Sequence, residues 1–297
     1  QPPRIWRWRS GSVCIHTSSR DRCSGCASTR PTRIGRSAVK ATEVPGRSTT
    51  ATPLRQRYSH DDLRVLSADE RARFLDGGPT DPQQNPTLGW ELLYRLEPEL
   101  YARLVQAERL HPAILEWLPQ HVDRIVEVGA GSGRLTLPLV SRCNDLTAIE
   151  PAAPLRELLR DKLRPSLTHV RLISGFLDAL PVPDRSAELV IACSVLTPEP
   201  AHGGDPGLSE MERVCAAGMV VVVWPNHPEW LVERGYRYLS FPGEMAMEFA
   251  SFEEAVELAQ IFYPEAVSEI RARGERRVPY EILGVNPPRD LAYRVIA

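Results

Sequence analysis

The sequence predicts an α/β protein, a doubly wound and mainly parallel sheet preceded by a helical cap, and three observations lead there. After residue 120, short apolar runs alternate with amphipathic stretches, the signature of βαβ units. Between 58 and 118, leucines recur at spacings of three and four, the period of a helix face. The first apolar run passes straight into Gly129-Ala130-Gly131-Ser132-Gly133, a glycine-rich turn of the kind that joins a buried strand to a helix.

The strands fall at 124–128, 146–149, 170–173, 189–193 and 219–224, with helices near 135–141, 154–162 and 207–214 and a later one over 252–262. At the end of the chain, 280–285 and 291–296 flank Asn286-Pro287-Pro288-Arg289 and read as a C-terminal antiparallel hairpin. In the lead-in, Leu92, Leu93, Leu96, Leu100 and Leu104 share a helical face, with Asp61 or Asp62 as N-cap. Pro82 and Pro86 bound a loop, and Pro112 opens a helix over 113–118. The chain divides into residues 1–57, the helical segment 58–120 and the α/β domain 121–297.

Residues 1–59 carry twelve Arg and Lys against Asp21 and Glu43, so a formal net charge of −2 conceals a +10 head and a −12 remainder. The head is rich in Ser, Thr, Pro and Gly and poor in aliphatics, which predicts disorder. It reads as a low-complexity tail, an extension, or an organelle transit segment. Outside that last case a cytoplasmic location is expected. Lysine occurs only at 40 and 162, so the basic character is a general preference for arginine, and no nucleic-acid partner is expected. No apolar run is long enough for a membrane span. Cys23 and Cys26 have half the spacing of a zinc site, but no second pair follows, and no metal is expected. The sequence does not fix the oligomeric state.

The chemistry concentrates in Ile125-Val126-Glu127-Val128-Gly129-Ala130-Gly131-Ser132-Gly133-Arg134. Glycines at 129, 131 and 133 permit positive φ and let backbone N–H groups approach a ligand beside a helix N-terminus. A dinucleotide fingerprint needs its third glycine at 134, where Arg134 stands, so a nicotinamide cofactor is disfavoured. Glu150 ends the second strand 23 residues after Glu127, where a carboxylate suits ribose hydroxyls. A third stretch, Ser174-Gly175-Phe176-Leu177-Asp178-Ala179-Leu180-Pro181, precedes the fourth strand.

Together these resemble the class I S-adenosylmethionine-dependent methyltransferases, over about 124–224. The resemblance implies a seven-stranded Rossmann-like sheet, S-adenosyl-L-methionine as cofactor, and methyl transfer to a small-molecule acceptor. It implies cofactor contacts from Glu127, Gly129, Ala130, Gly131, Gly133, Glu150 and Pro151, with Cys193 contributing its backbone at the end of the fourth strand. Phe176 stands where many relatives carry the acid that reads the adenine amino group. That contact would fall to the backbones of Phe176 and Leu177, with Asp178 as a displaced substitute. The departure also leaves open a non-catalytic, cofactor-binding or partner-subunit reading.

Methyl transfer is an in-line displacement that depends chiefly on positioning. A hydroxyl or thiol acceptor also needs a base, and His227 and His202, in the loops after the fifth and fourth strands, are the candidates. Trp90, Tyr94, Tyr101, Trp230, Tyr236, Tyr238 and Phe241 are candidate lining for an acceptor pocket.

Overall fold

The computed structural model describes residues 52–75, 77–164 and 168–297. The basic head up to residue 51, with Cys14, Cys23 and Cys26, lies outside the described residues.

The lead-in is helical: α1 (Leu54–Arg57), a 3-10 turn (His60–Val65), α2 (Ala68–Phe74), α3 (Pro86–Leu96), α4 (Pro98–Ala107) and α5 (Pro112–Trp117). Asp62 is not the N-cap of the 3-10 turn. Ser59 holds that place, and Asp62, three residues on, accepts the Ser59 N–H at 2.9 Å. Ser67 caps α2 reciprocally with Glu70, and Asn85 caps α3 ahead of Pro86. Glu97 and Pro98 break the leucine face into two helices, because proline cannot supply the N–H that would continue α3.

Next come β1 (Val122–Val128), α6 (Thr136–Leu139), β2 (Cys143–Ile149), α7 (Ala153–Leu163), β3 (Val170–Ile173), β4 (Ala187–Cys193), α8 (Gly204–Val214) and β5 (Cys215–Val223). These are followed by α9 (Pro228–Glu233), β6 (Arg237–Ser240), β7 (Ala246–Glu248), α10 (Phe252–Phe262), α11 (Val267–Arg273), β8 (Arg277–Pro279), α12 (Tyr280–Leu283) and β9 (Asp290–Ile296). Seven strands form one sheet in the order β3-β2-β1-β4-β5-β9-β6, and β7 pairs with β8 apart from it. The first five are parallel, while β9 runs antiparallel to both β5 and β6. The doubly wound, mainly parallel Rossmann-like sheet is therefore as expected.

The C-terminal hairpin needs correction. Residues 280–283 form the helical turn α12, closed by Gly284 at φ +69°. The antiparallel partners of β9 are β5 and the distant β6, a four-residue strand too short to announce itself by alternation. The predicted strand at 219–224 begins earlier, at Cys215, and its register against β4 shifts between Ala187 and Leu189. Gly218 sits at that irregularity, where a Cβ would lie 2.0 Å from the Glu188 carbonyl oxygen.

Alternation along the buried strands sends Val126, Val128, Val190, Ala192, Val220 and Val222 to one face, against Leu208 and Met211 of α8. Ile125, Leu146, Ala148, Ile191 and Val221 face the other side, with Leu159 of α7 and Ile114 of α5. Burial on both faces explains why these strands read as continuous apolar runs. A third core joins Leu104 and Ala107 of α4 to Phe249, Leu258, Ile270 and Tyr280, so the 241–289 insertion packs on the lead-in. Among the described residues no helix is long and apolar enough to cross a membrane.

Candidate functional site

The site is built on the carboxyl ends of β1, β2, β4 and β5, where a doubly wound sheet opens toward ligand. Gly129, Gly131 and Gly133 adopt φ of +70°, +54° and +100°, as the turn requires. Two of them also leave no space for a side chain. A Cβ on Gly129 would meet Val195 at 2.8 Å, and one on Gly133 would meet Leu159 at 2.6 Å. The N–H groups of Gly129 and Ala130 both bond the Ile149 carbonyl, tying the turn to β2.

Glu150, only 5% exposed, completes the tie. Its Oε2 accepts the Gly131 N–H at 2.9 Å and its Oε1 accepts the Ala152 N–H at 2.8 Å. Burial raises its pKa, opposed by those two bonds. Each oxygen keeps a further lone pair for a ligand. The Glu150 and Pro151 carbonyls both accept from Arg156, which fixes the start of α7. Glu127 is 1% exposed, and its Oε2 has no hydrogen-bond partner among the described residues. Burial pushes its carboxyl up to about 8, partly offset by the facing Thr136.

At the next corner Phe176 packs edge-on against Phe74 of α2, with ring centroids 6.1 Å apart, and the Arg73 guanidinium lies 4.3 Å from its ring centre. Leu177 points into the core beneath, against Gly203 and Gly207. The Phe176 carbonyl is taken by the Ala179 N–H. Asp178 pairs through Oδ2 with Arg73 at 2.9 Å, and its Oδ1 is buried without a partner.

Two non-glycine residues with positive φ mark the strand ends: Ser194 after β4 at +54° and Trp224 after β5 at +49°. Backbone strain of this kind gathers at ligand sites. The Arg134 guanidinium lies 5.1 Å from the centre of the Trp224 ring and pairs with Glu108, which also accepts the Tyr263 hydroxyl at 3.0 Å. Cys193 is beside this group, and burial pushes its thiol up to about 11, which disfavours the thiolate. Tyr101 of α4 stands over the glycine turn, 3.5 Å from where a Gly131 Cβ would be, and packs on Tyr94 at 4.7 Å.

The two histidines lie in the loops expected. His202 is half-buried, its Nδ1 3.4 Å from the Thr197 hydroxyl, and burial lowers its pKa against the opposing charge of Glu199. The His227 side chain is 40% exposed and sits 3.5 Å from Glu229, and Glu199 feels both imidazoles. Of the other aromatics, Trp90, Tyr94 and Tyr101 belong to the cap. Trp230 and Tyr236 fill the sheet core, Tyr238 is exposed beside Asp290, and Phe241 stacks on His111. Glu108, Tyr263 and Tyr280 carried no signal in the sequence, since only the folding of the insertion onto α4 brings them to the glycine turn.

Residues 125–218 match the family model described as a methyltransferase domain. Over 131 residues the chain is 32% identical to an uncharacterized methyltransferase of Mycobacterium tuberculosis and to one of Mycobacterium bovis, covering 42% of this chain and 50% of each relative. The match thus spans half the length of those curated relatives. A shorter stretch of 41 residues is 54% identical to an rRNA adenine N-6-methyltransferase of Lysinibacillus sphaericus, covering 14% of this chain and 17% of that protein. Among solved structures, a SAM-dependent methyltransferase from Aquifex aeolicus superposes with a TM-score of 0.39 at 15% identity, over 52% of this chain and 94% of that one. Residues 125–218 are thus similar to a methyltransferase domain, over nearly the same stretch that resembles the class I S-adenosylmethionine-dependent enzymes in sequence. S-adenosyl-L-methionine is the cofactor that the resemblance implies for such a domain.

Proposed function

We propose that this chain transfers a methyl group from S-adenosylmethionine to a small-molecule acceptor. The observation that carries the reading is the buried pair of carboxyls around the glycine turn: Glu150 bound to Gly131 N–H, and Glu127 with an oxygen left over. A nucleoside bearing an amino acid has the groups to answer them, namely ribose hydroxyls for Glu150 and an ammonium on the side of Glu127. Asp178 Oδ1, buried and unpartnered, is assigned to the adenine amino group. Its free oxygen favours it over the Phe176 carbonyl, which the Ala179 N–H already engages. Gly129, Ala130, Gly131, Gly133, Pro151 and Cys193 contribute backbone and shape.

When bound, the cofactor supplies an electrophilic methyl group whose bond to sulfur breaks as the acceptor bond forms, the electron pair staying on sulfur. The protein's part is to align the acceptor, exclude water and take a proton. His202 fits the last role better than His227. It is buried enough to stay neutral near pH 7, and Thr197 orients its ring.

A small acceptor suits a site roofed by α2, α3 and α4 and lined by aromatic rings. The −12 balance of residues 60–297 disfavours a polyanion. The named substrate of the Lysinibacillus relative is no guide, for that match covers 17% of its length. Calorimetric titration with S-adenosylmethionine, S-adenosylhomocysteine and reduced nicotinamide dinucleotide tests the reading. Binding confined to the two sulfur compounds is expected, and binding of the dinucleotide alone would overturn it.

A further inference from the structure

The corner that follows β3 is met by the end of α2. Arg73 reaches across 105 residues of sequence to Asp178, its Nη1 donating to Oδ2 at 2.9 Å. The carbon of the same guanidinium lies 4.3 Å from the centre of the Phe176 ring, and the next residue, Phe74, meets that ring edge-on at 6.1 Å. One guanidinium therefore rests on the ring at 176 and pairs with the acid at 178. Arg73 and Phe74 lie outside the stretch matched to the methyltransferase domain, residues 125–218. The cap thus adds a cation to a corner whose other parts belong to that domain.

Position 73 is itself firmly mounted. Glu70, one turn earlier on α2, accepts from Arg95 of α3 at 2.6 Å, and Arg95, whose side chain is 5% exposed, is held also by Glu91. Asn85, which caps α3, donates to the Phe74 carbonyl at 3.3 Å. The two helices are locked together around the residue that carries the cation.

Asp178 shows what the pairing does. Its side chain is 28% exposed, so alone it is free to turn both oxygens to water. A carboxyl torsion is broad and two-fold, and a charged oxygen buried without a partner forfeits its hydration. With Oδ2 pinned by Arg73, that torsion is set, and Oδ1 is found buried with no hydrogen-bond partner among the described residues. The cation on one oxygen offsets the cost of burying the other.

We propose that Arg73 is a positioning residue for the adenine ring: by holding Asp178 Oδ2 it presents Oδ1 to the exocyclic amino group, so that recognition of the base depends on the cap. This rests on the assignment of Asp178 to that amino group above. Arg73 acts through Asp178 and needs no contact with the cofactor.

The test uses the full chain, titrated calorimetrically with S-adenosylhomocysteine and with S-inosylhomocysteine, which has a carbonyl in place of the adenine amino group. The quantity read is the ratio of the two affinities. Looser packing of the cap weakens both ligands alike and leaves the ratio alone, whereas a misplaced Oδ1 lowers only the preference for the amino group. Arg73→Gln is expected to lower the ratio about threefold or more, the scale of ordering one side chain. Its Tm should stay close to that of the wild type, since a part-exposed ion pair adds little stability. Arg73→Lys keeps the charge and should fall between the two. Asp178→Ala abolishes the preference, and adding Arg73→Gln to it should change the ratio by no more than about twofold, as expected of two residues acting as one. A smaller fall in Arg73→Gln, with the preference still lost in Asp178→Ala, would overturn the proposal and leave the Asp178 assignment standing. So would a further change in the double variant. A preference that survives in Asp178→Ala would instead strike that assignment and this proposal with it, and failure to bind S-adenosylhomocysteine at all would strike the methyltransferase reading beneath both.

Discussion

Glu150 holds Gly131: the carboxylate at the end of β2 accepts the backbone N–H at the middle of the glycine turn, 2.9 Å away. Its other oxygen fixes the first turn of α7 through Ala152. One buried side chain thus sets the relative positions of the glycine turn and the start of α7, and each of its oxygens retains a lone pair.

Replacing Glu150 by alanine removes both functions. Affinity for S-adenosylmethionine should fall at least tenfold, about 1.4 kcal/mol, and Tm should drop because the Gly131 and Ala152 N–H groups lose their partners. Glu150→Gln retains one acceptor oxygen and should lie between. Calorimetry on the three proteins checks the order, and an alanine variant with unchanged affinity would remove Glu150 from the cofactor site.

Gly129 offers a test of the turn's packing. Gly129→Ala suffers twice, from positive φ and from a Cβ 2.8 Å from both Val195 methyls. The conformational part should cost about 1 kcal/mol, with the overlap adding to it. Val195→Ala removes only the overlap. The double variant should therefore recover part of the lost Tm and never all of it, and thermal melts of the single and double variants decide the point.

Burial pushes Glu91 up to about 7 and Glu127 up to about 8, in each case against weaker opposing contacts. Between about pH 4.5 and 8 the folded protein holds protons that the unfolded chain has released, so stability falls as pH rises through that window. Glu127→Gln cannot titrate. Its Tm should decline less between pH 5.5 and 8.5 than that of the wild type, and parallel declines would remove Glu127 as a source of the slope.

The sheet was legible where strands are buried on both faces. The runs at 124–128, 146–149 and 189–193 are apolar from end to end, and each is followed by a turn signal. Legibility failed for β6, β7 and β8, which have four, three and three residues and cannot show a period. The Asn-Pro-Pro turn misled for another reason: β9 finds its partners in β5 and β6, and no local pattern encodes a pairing across some fifty residues. Glycines 129, 131 and 133 and Glu150 sit at fixed offsets from strand ends, so spacing located them. Arg134, Glu108, Tyr263 and Tyr280 meet only after three separate segments pack, and spacing is silent about such a meeting.

His202 should act as the proton acceptor if the acceptor atom is a hydroxyl or thiol oxygen or sulfur. Its pKa is lowered by burial, so kcat/KM should rise with pH through a value below the ordinary histidine range and then level off. His202→Asn should reduce kcat by about 10²-fold or more, while His227→Asn leaves it within a few-fold. The reverse ranking would transfer the role to His227.

Asp178 stands two residues beyond the position where many relatives place their adenine-reading acid, and its free Oδ1 makes a sharp prediction. A carboxylate left buried beside a purine gains a charged hydrogen bond from an exocyclic amino group and gains nothing from a carbonyl in its place. S-inosylhomocysteine carries that carbonyl where S-adenosylhomocysteine carries the amino group. Loss of a hydrogen bond to a charged partner is worth about 1.5–3 kcal/mol, so the wild type should prefer S-adenosylhomocysteine by a factor of about 10 to 100. In Asp178→Ala the amino group loses its acceptor and the carbonyl loses its repulsion, so the two affinities should converge. Arg73 is freed by the same substitution and still lies over Phe176, which keeps the apolar wall of the corner in place. A preference that survives in Asp178→Ala would return the adenine contact to the backbone of Phe176 and Leu177.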